Sequence, residues 1–443
     1  MRLTNVSRMA LPPGRLLSYG VRPTDRRGCE LPISFDQARH VAEGQRPGSW
    51  MAVAARLPLG TSADALAAAW LAVVRRHGTF STVFSHAPDG RPQLHQIAVQ
   101  PGEWVEHPVP VDADPRQSLR ELFDQSCAPF EQPSHRLVMA VPNASEADAR
   151  PQVIIGSDHT HVDMWSFLVV LRDLFTGLDD LRAGRPPLAE TPPAAAFAEH
   201  TAALASRPPA PQEVHRRWSQ LLEAEQGVMP RFPLPLGDPD FEGESIVEVR
   251  DLLDAGQAAR FADRAADEGV RSIALALSVL STVTAELAGA PLRALFPVHS
   301  RDEPRWRDSA GWYITNSTIE CADPDPQACA RSVKEGVILG SHPLAPILAA
   351  YGGMPTAPGM FALSWLDTRR LPALPADAEV QYVSAVIHDD GIMVWFVVND
   401  SGLHLRARYP NTPEARWHVG AWLNGVERGL LAEIDQICTS SAA

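Results

Sequence analysis

Cysteine is scarce in this chain, and the few present do not cluster. Five thiols (Cys29, Cys127, Cys321, Cys329 and Cys438) are scattered through 443 residues with no C-x-x-C pair. An odd, dispersed set excludes a disulfide framework and offers no zinc-knuckle spacing, so the thiols are expected to be reduced and mostly buried. Also missing is any run approaching the roughly eighteen apolar residues that span a bilayer. Near the start, Pro12, Pro13 and Arg15 stand where a secretory signal would need an unbroken apolar stretch, so a cytoplasmic protein without a membrane span is expected. Positive charge is short as well: 39 Lys and Arg face 53 Asp and Glu, for a formal net charge of -14. That balance disfavours nonspecific attraction to nucleic acid or anionic membranes, and no nucleic-acid partner is expected.

What is present is ordinary globular material, with 45% hydrophobic and 21% charged residues. The length exceeds one compact core and predicts two lobes. Helical spacing of Leu66, Trp70 and Val73 or Val74, with Ser62 as N-cap, predicts a helix over residues 61–77, followed by a strand pair over 79–84 and 93–100. A β-branched run at 153–155 ending at Gly156 precedes a buried helix from Trp165, which places the polar residues 157–163 on a strand-to-helix turn. Paired prolines between 185 and 211 read as a partly extended crossover. The expected organisation is an N-terminal lobe at 1–184, the crossover at 185–211 and a C-terminal lobe at 212–443. The second lobe is expected to hold a helix over 272–287, strands near 294–298, 361–365, 381–388, 392–399 and 403–409, and a final helix over 412–434. The fold class is α/β.

The chemically densest stretch is Asp158-His159-Thr160-His161-Val162-Asp163-Met164-Trp165-Ser166. With 15 histidines in the chain, a bare His-x-x-x-Asp arises about once by chance, so context must carry it. One competing reading is metal: His159, His161 and Asp163 would share a face if the segment were extended. Those metal sites need further ligands, Met164 stands where a histidine would follow, and no metal is expected. The bland reading is a set of polar turn residues capping a helix.

Around this turn the chain resembles the condensation-domain superfamily, over nearly its whole length. Pro32-Ile33-Ser34 with Gln37 is similar to the family's opening motif, and Val74-Arg75-Arg76-His77 with Thr82-Val83-Phe84 to its RHxxLRTxF segment. Pro129-Phe130 matches the "PF" before the active-site strand. The turn resembles HHxxxDGxS, with His159, Asp163 and Ser166 in register. Phe296 to Arg301 is similar to the PVAGR strand and Gly311 to Ser317 to GxFxNT. Arg301 to Trp306 and Ala407 to Pro413 look most like the free-standing polyketide-associated (Pap-type) acyltransferases. Asp158 departs from the first histidine of the motif and Met164 from its glycine, where a bulkier side chain would narrow the acceptor channel. Asp158 and Asp163 also reproduce the D-x-x-x-x-D spacing of heterocyclisation domains, against which His159 argues.

The resemblance implies two chloramphenicol-acetyltransferase-like lobes in a V arrangement with the active site in a tunnel between them. It implies an acyltransferase that moves an acyl group from a coenzyme A or acyl-carrier-protein thioester, a phosphopantetheine-linked donor, to a hydroxyl or amine. No cofactor is expected to be resident. His159 is the expected catalytic residue, as general base or as a hydrogen-bond donor to the tetrahedral intermediate, since imidazole alone rests near neutrality. Asp163 is expected to hold the loop by pairing with Arg301 of the other lobe. His161, Met164, Trp165, Ser166, Asn316, Ser364 and Trp365 are the expected substrate-channel residues, and His77 a structural one. Expected partners are acyl-CoA or an acyl carrier protein and a small-molecule acceptor, with the enzyme a monomer. Arg216-Arg217 and Arg369-Arg370 are candidates for carrier docking. The alternatives are amide-forming peptide condensation and a catalytically silent recruitment module.

Overall fold

The computed structural model describes residues 2–108, 113–143, 150–241 and 243–440. The chain forms two compact units, each a β-sheet backed by helices, which is the expected α/β class.

The first unit centres on a seven-stranded sheet in the order Arg2–Asn5, Gln381–Ser384, Trp50–Arg56, Gln152–Asp158, His135–Pro142, Gly14–Tyr19, Trp104–His107. Every neighbouring pair is antiparallel except the first, which is parallel. The helices Ala63–Arg76 and Met164–Arg182 bury Leu66, Trp70, Val73, Phe167, Leu171 and Leu174 with Val153 and Ile155 of the sheet. Ser62 caps the first of these helices, accepting from the amide of Ala65, as the sequence predicts. All seven residues of Gln152–Asp158 are buried, as a strand at the middle of a covered sheet should be. Gly156 is required there: a Cβ would lie 2.7 Å from the Phe123 ring. A smaller sheet of Arg22–Leu31, Pro92–Gln100 and Thr82–His86 completes the unit.

The second unit has a six-stranded sheet, Ile246–Asp254, Gly402–Tyr409, Ile392–Asn399, Phe361–Asp367, Leu292–His299, Ile314–Cys321. Helices Ala255–Asp267, Ser272–Ala288 and Pro413–Ser440 close its core around Phe361, Trp422 and Val283. Among the described residues no single helix is long and apolar enough to cross a membrane. Cys127, Cys321 and Cys329 are buried and free, but Cys29 is exposed. The side chain of Cys438 lies outside the described residues.

The chain does not divide at one crossover. The first unit comprises Met1–Ser206, Arg301–Tyr313 and Leu371–Val386, and the second takes Arg207–Ser300, Ile314–Arg370 and Ile387–Ala443. Backbone pairing explains one return: Gln381–Ser384 fills the slot between Trp50–Arg56 and Arg2–Asn5. The strand expected over 381–388 is therefore short and belongs to the first unit. The other return carries Arg301 to a buried carboxylate.

Candidate functional site

The site is assembled at the end of the Gln152–Asp158 strand. There the Asp158 carboxylate accepts from the Thr160 amide at 2.9 Å and the Thr160 hydroxyl at 2.6 Å. These bonds turn the chain out of the strand into a 3-10 turn over His159–His161. Ser34 and Gln37 form a capping box on the helix Phe35–Ala42, and the Gln37 amide donates to the Thr160 carbonyl at 2.8 Å. The His159 amide donates to the Ser49 carbonyl at 3.1 Å. Asp163 then caps the helix Met164–Arg182, accepting from the Ser166 amide at 2.6 Å.

Asp163 is more than a cap. Its oxygens lie 3.1 and 3.3 Å from one guanidinium nitrogen of Arg301, and it accepts from the Tyr313 amide at 3.1 Å. Arg301 also donates to the Ser166 hydroxyl at 2.8 Å and the Ser309 carbonyl at 2.7 Å, and to the Trp306 carbonyl. Its guanidinium lies 3.9 Å from the centre of the Tyr313 ring. The expected pairing is present, but within one unit rather than between two lobes, because residues 301–313 fold into the first unit.

His159 is half-buried, its ring stacked on Trp312 with centroids 4.1 Å apart and planes 25° apart. Nδ1 is enclosed and meets no polar group of another described residue. Burial, and then the nearby charge of His40, push the imidazole below its ordinary value, which keeps it neutral at pH 7. Asp158 beside it would be raised by burial, yet hydrogen bonds from His40 and Thr160 and the charge of His40 hold its carboxyl down at about 2.

The remaining expected site residues divide between the two units. His161 is 1% exposed, with Nδ1 3.2 Å from the Thr79 hydroxyl and its ring near Phe84, and burial lowers it to about 4. Ser166 is fully buried between Arg301 and Gly311. Both pack inside the first unit, where the turn points them. Met164 and Trp165 are partly exposed at the helix start, with the Trp165 indole donating to the Arg307 carbonyl at 3.1 Å. Asn316, Ser364 and Trp365 belong to the second unit. Successive strand residues face opposite ways, and Trp365 packs on that unit's core against Phe396, so Ser364 and Trp365 do not share a face. The metal reading loses its geometry: His161 turns to Thr79, Asp163 to Arg301 and His159 to Trp312. His77 is structural, bonded to Asp173 at 2.8 Å and accepting from the Ala310 amide at 3.2 Å. Of the docking arginines, Arg217 is tied to Glu320 and Glu335, and Arg369 to Asp367.

Two residues beside His159 were not anticipated as site residues. Trp312 lies inside the segment that resembles GxFxNT, but nothing in that segment signals a stack. His40 follows the Ser34–Gln37 motif by one helical turn, and its spacing from Gln37 is the signal that puts it on the turn-facing side of the helix.

The family model for the condensation domain matches residues 38–334. The chain belongs to the condensation-domain family. It is 25% identical to the acyltransferase PapA3 of Mycobacterium tuberculosis over 424 residues, covering 89% of this chain and 87% of that one. Identity to the Mycobacterium bovis trehalose-2-sulfate acyltransferase PapA2 is 24%, over 93% of this chain and 92% of the relative. Among solved structures, a PapA2 acyl transferase superimposes with a TM-score of 0.85 at 21% identity, over 98% of this chain and 100% of that one. The first condensation domain of the calcium-dependent antibiotic synthetase does so at 0.68 and 12%, over 91% and 96%. This condensation-domain member thus shares its fold with both free-standing and peptide-synthetase relatives.

Proposed function

We propose that the protein is an acyltransferase that moves an acyl group from a phosphopantetheine-linked thioester, on coenzyme A or an acyl carrier protein, to a small-molecule acceptor. Nε2 of His159 takes the proton from the acceptor as its oxygen or nitrogen attacks the thioester carbonyl carbon. The tetrahedral intermediate then expels the thiolate, which receives the proton back from the imidazolium, leaving the new ester or amide and free thiol. The observation that carries this reading is the state of His159: neutral at pH 7, half-buried, and oriented by its stack on Trp312. Burial and the neighbouring His40 keep the ring available as a base. Two relatives are named for acylation at trehalose-2-sulfate or at an acylated sulfo-trehalose, which favours a hydroxyl over an amine acceptor. Arg301 and Asp163 hold the turn from which His159 projects.

The test incubates the purified chain with acyl-CoA and acyl-carrier donors and sugar or amine acceptors, reading thiol release and product mass. His159→Ala should lower turnover roughly 100-fold or more. Near-parental turnover in that variant would remove His159 from the chemistry. A folded parent that releases no thiol from any donor would favour a recruitment role.

A further inference from the structure

We propose that His40 is a positioning residue for His159: held between Asp158 and Arg46, it braces the Trp312 indole and so sets the plane and the electrostatic surroundings of the catalytic ring. This rests on the reading of His159 as the base. His40 Nε2 lies 3.4 Å from Asp158 Oδ2, and its Nδ1 lies 3.4 Å from a guanidinium nitrogen of Arg46, which also donates to the His40 carbonyl at 3.1 Å. A guanidinium only donates, so Nδ1 accepts from Arg46 and Nε2 faces the Asp158 carboxylate. Both nitrogens are engaged, so His40 is not a second base.

Its ring meets Trp312 edge-on, with centroids 5.5 Å apart at 82°, and Trp312 in turn stacks on His159. The order His40, Trp312, His159 leaves the indole little freedom to tilt. His40 and His159 have their ring centres 6.2 Å apart. The charged and titratable groups facing His40 are Asp158, Arg46 and His159, with the Arg46 charge offset by Glu43 at 2.8 Å. A proton added to Nδ1 turns the Arg46 contact repulsive and places a positive charge near His159. That charge opposes protonation of the base, so it stays in its working form to lower pH.

The experiment follows individual histidine resonances of the intact, isotope-labelled protein through a pH titration, with His159 assigned by its loss in His159→Ala. His40→Gln keeps a donor for Asp158 but removes the titrating ring. It should move the His159 midpoint upward by about 0.5 to 2 pH units, the Coulomb coupling of unit charges at that separation between water-like and surface-like screening. It should also lower kcat roughly 10-fold or more, with KM changing little. Arg46→Gln, on a half-exposed side chain already paired with Glu43, leaves the His40 ring against Trp312 and should displace the His159 midpoint less than His40→Gln does. A larger displacement from the His40 variant is the expected signature. An unmoved His159 midpoint in folded His40→Gln protein, or an equal displacement by Arg46→Gln, overturns the inference. Should His40→Gln fail to fold, His40→Phe, which keeps an aromatic edge against Trp312, takes its place in the same titration. These titrations do not depend on turnover, so an active His159→Ala enzyme would remove the base while leaving the coupling separately measurable.

Discussion

Replacing Asp163 by Ala tests whether its carboxylate serves the architecture or the reaction. Arg301 is fully buried in its side chain, and Asp163 is its carboxylate partner. Removing one member of a buried pair leaves the other charge desolvated, which costs about 3–5 kcal/mol. The same substitution deletes the cap on the Ser166 amide and the acceptor for the Tyr313 amide, and loss of a cap alone costs about 0.5–2 kcal/mol. These contributions share one carboxylate and do not add in full. The three carbonyl and hydroxyl acceptors left to Arg301 soften the loss, so about 3–5 kcal/mol is expected in total. For a unit of this size each kcal/mol lowers the melting temperature by about 2–4 °C, giving a fall of roughly 6–20 °C. Differential scanning calorimetry of parent and variant reads it. A variant that melts within about 2 °C of the parent but has lost activity would show the carboxylate acting in the chemistry, and the architectural argument would fall.

Stability should also follow acidity in two windows. Burial holds His161 at about 4 and His135 at about 3, below the roughly 6.5 of an unfolded histidine. The unfolded chain therefore binds more protons between those values, and stability should decline as pH falls from about 6.5 towards 4. His161→Gln should flatten that slope in urea titrations at stepped pH, and an unchanged slope would contradict the neutral, buried assignment. Asp158 is depressed instead, to about 2, so its contribution is present above about 4 and lost as pH falls towards 2. Asp158→Asn should remove that acid-side dependence, seen by circular dichroism. Finally, a Cβ at Gly311 would lie 2.5 Å from the Phe197 ring, so Gly311→Ala should cost about 1–3 kcal/mol by overpacking, with a melting temperature lowered accordingly.

Local signals carried the sequence reading well wherever an element's pattern is contained within it. The helix Ala63–Arg76 announces itself through Ser62 and the spacing of Leu66, Trp70 and Val73, and Ser272–Ala288 through sustained apolarity. The turn bearing His159 and Asp163 was legible because a strand ending at a polar cluster and resuming as a buried helix is a local event. Its resemblance to a family motif pointed the same way. Arg301 was legible as the partner of Asp163 only through that resemblance; no spacing links residues so far apart. Nothing in Gln381–Ser384 states that its neighbours are Trp50–Arg56 and Arg2–Asn5, because pairing partners are set by topology rather than by period. The same holds for Trp312 beneath His159. The inward facing of His161 and Ser166 has a different reason: a 3-10 turn and a capped helix rotate successive side chains by about a third of a circle, which a linear motif does not display.

The return of Arg301–Tyr313 and Leu371–Val386 to the first unit bears on how the molecule is born. A ribosome adding about 5–20 residues per second delivers Asp163 well before Arg301 and leaves the Trp50–Arg56 strand with a bare edge until residue 381 emerges. Through that interval the nascent half exposes an unneutralised acid and an open hydrogen-bonding edge, the condition under which chains associate wrongly. Gene fragments ending after the proline-rich stretch should therefore yield insoluble product, and productive expression of this protein should lean on chaperones that shelter an unfinished sheet.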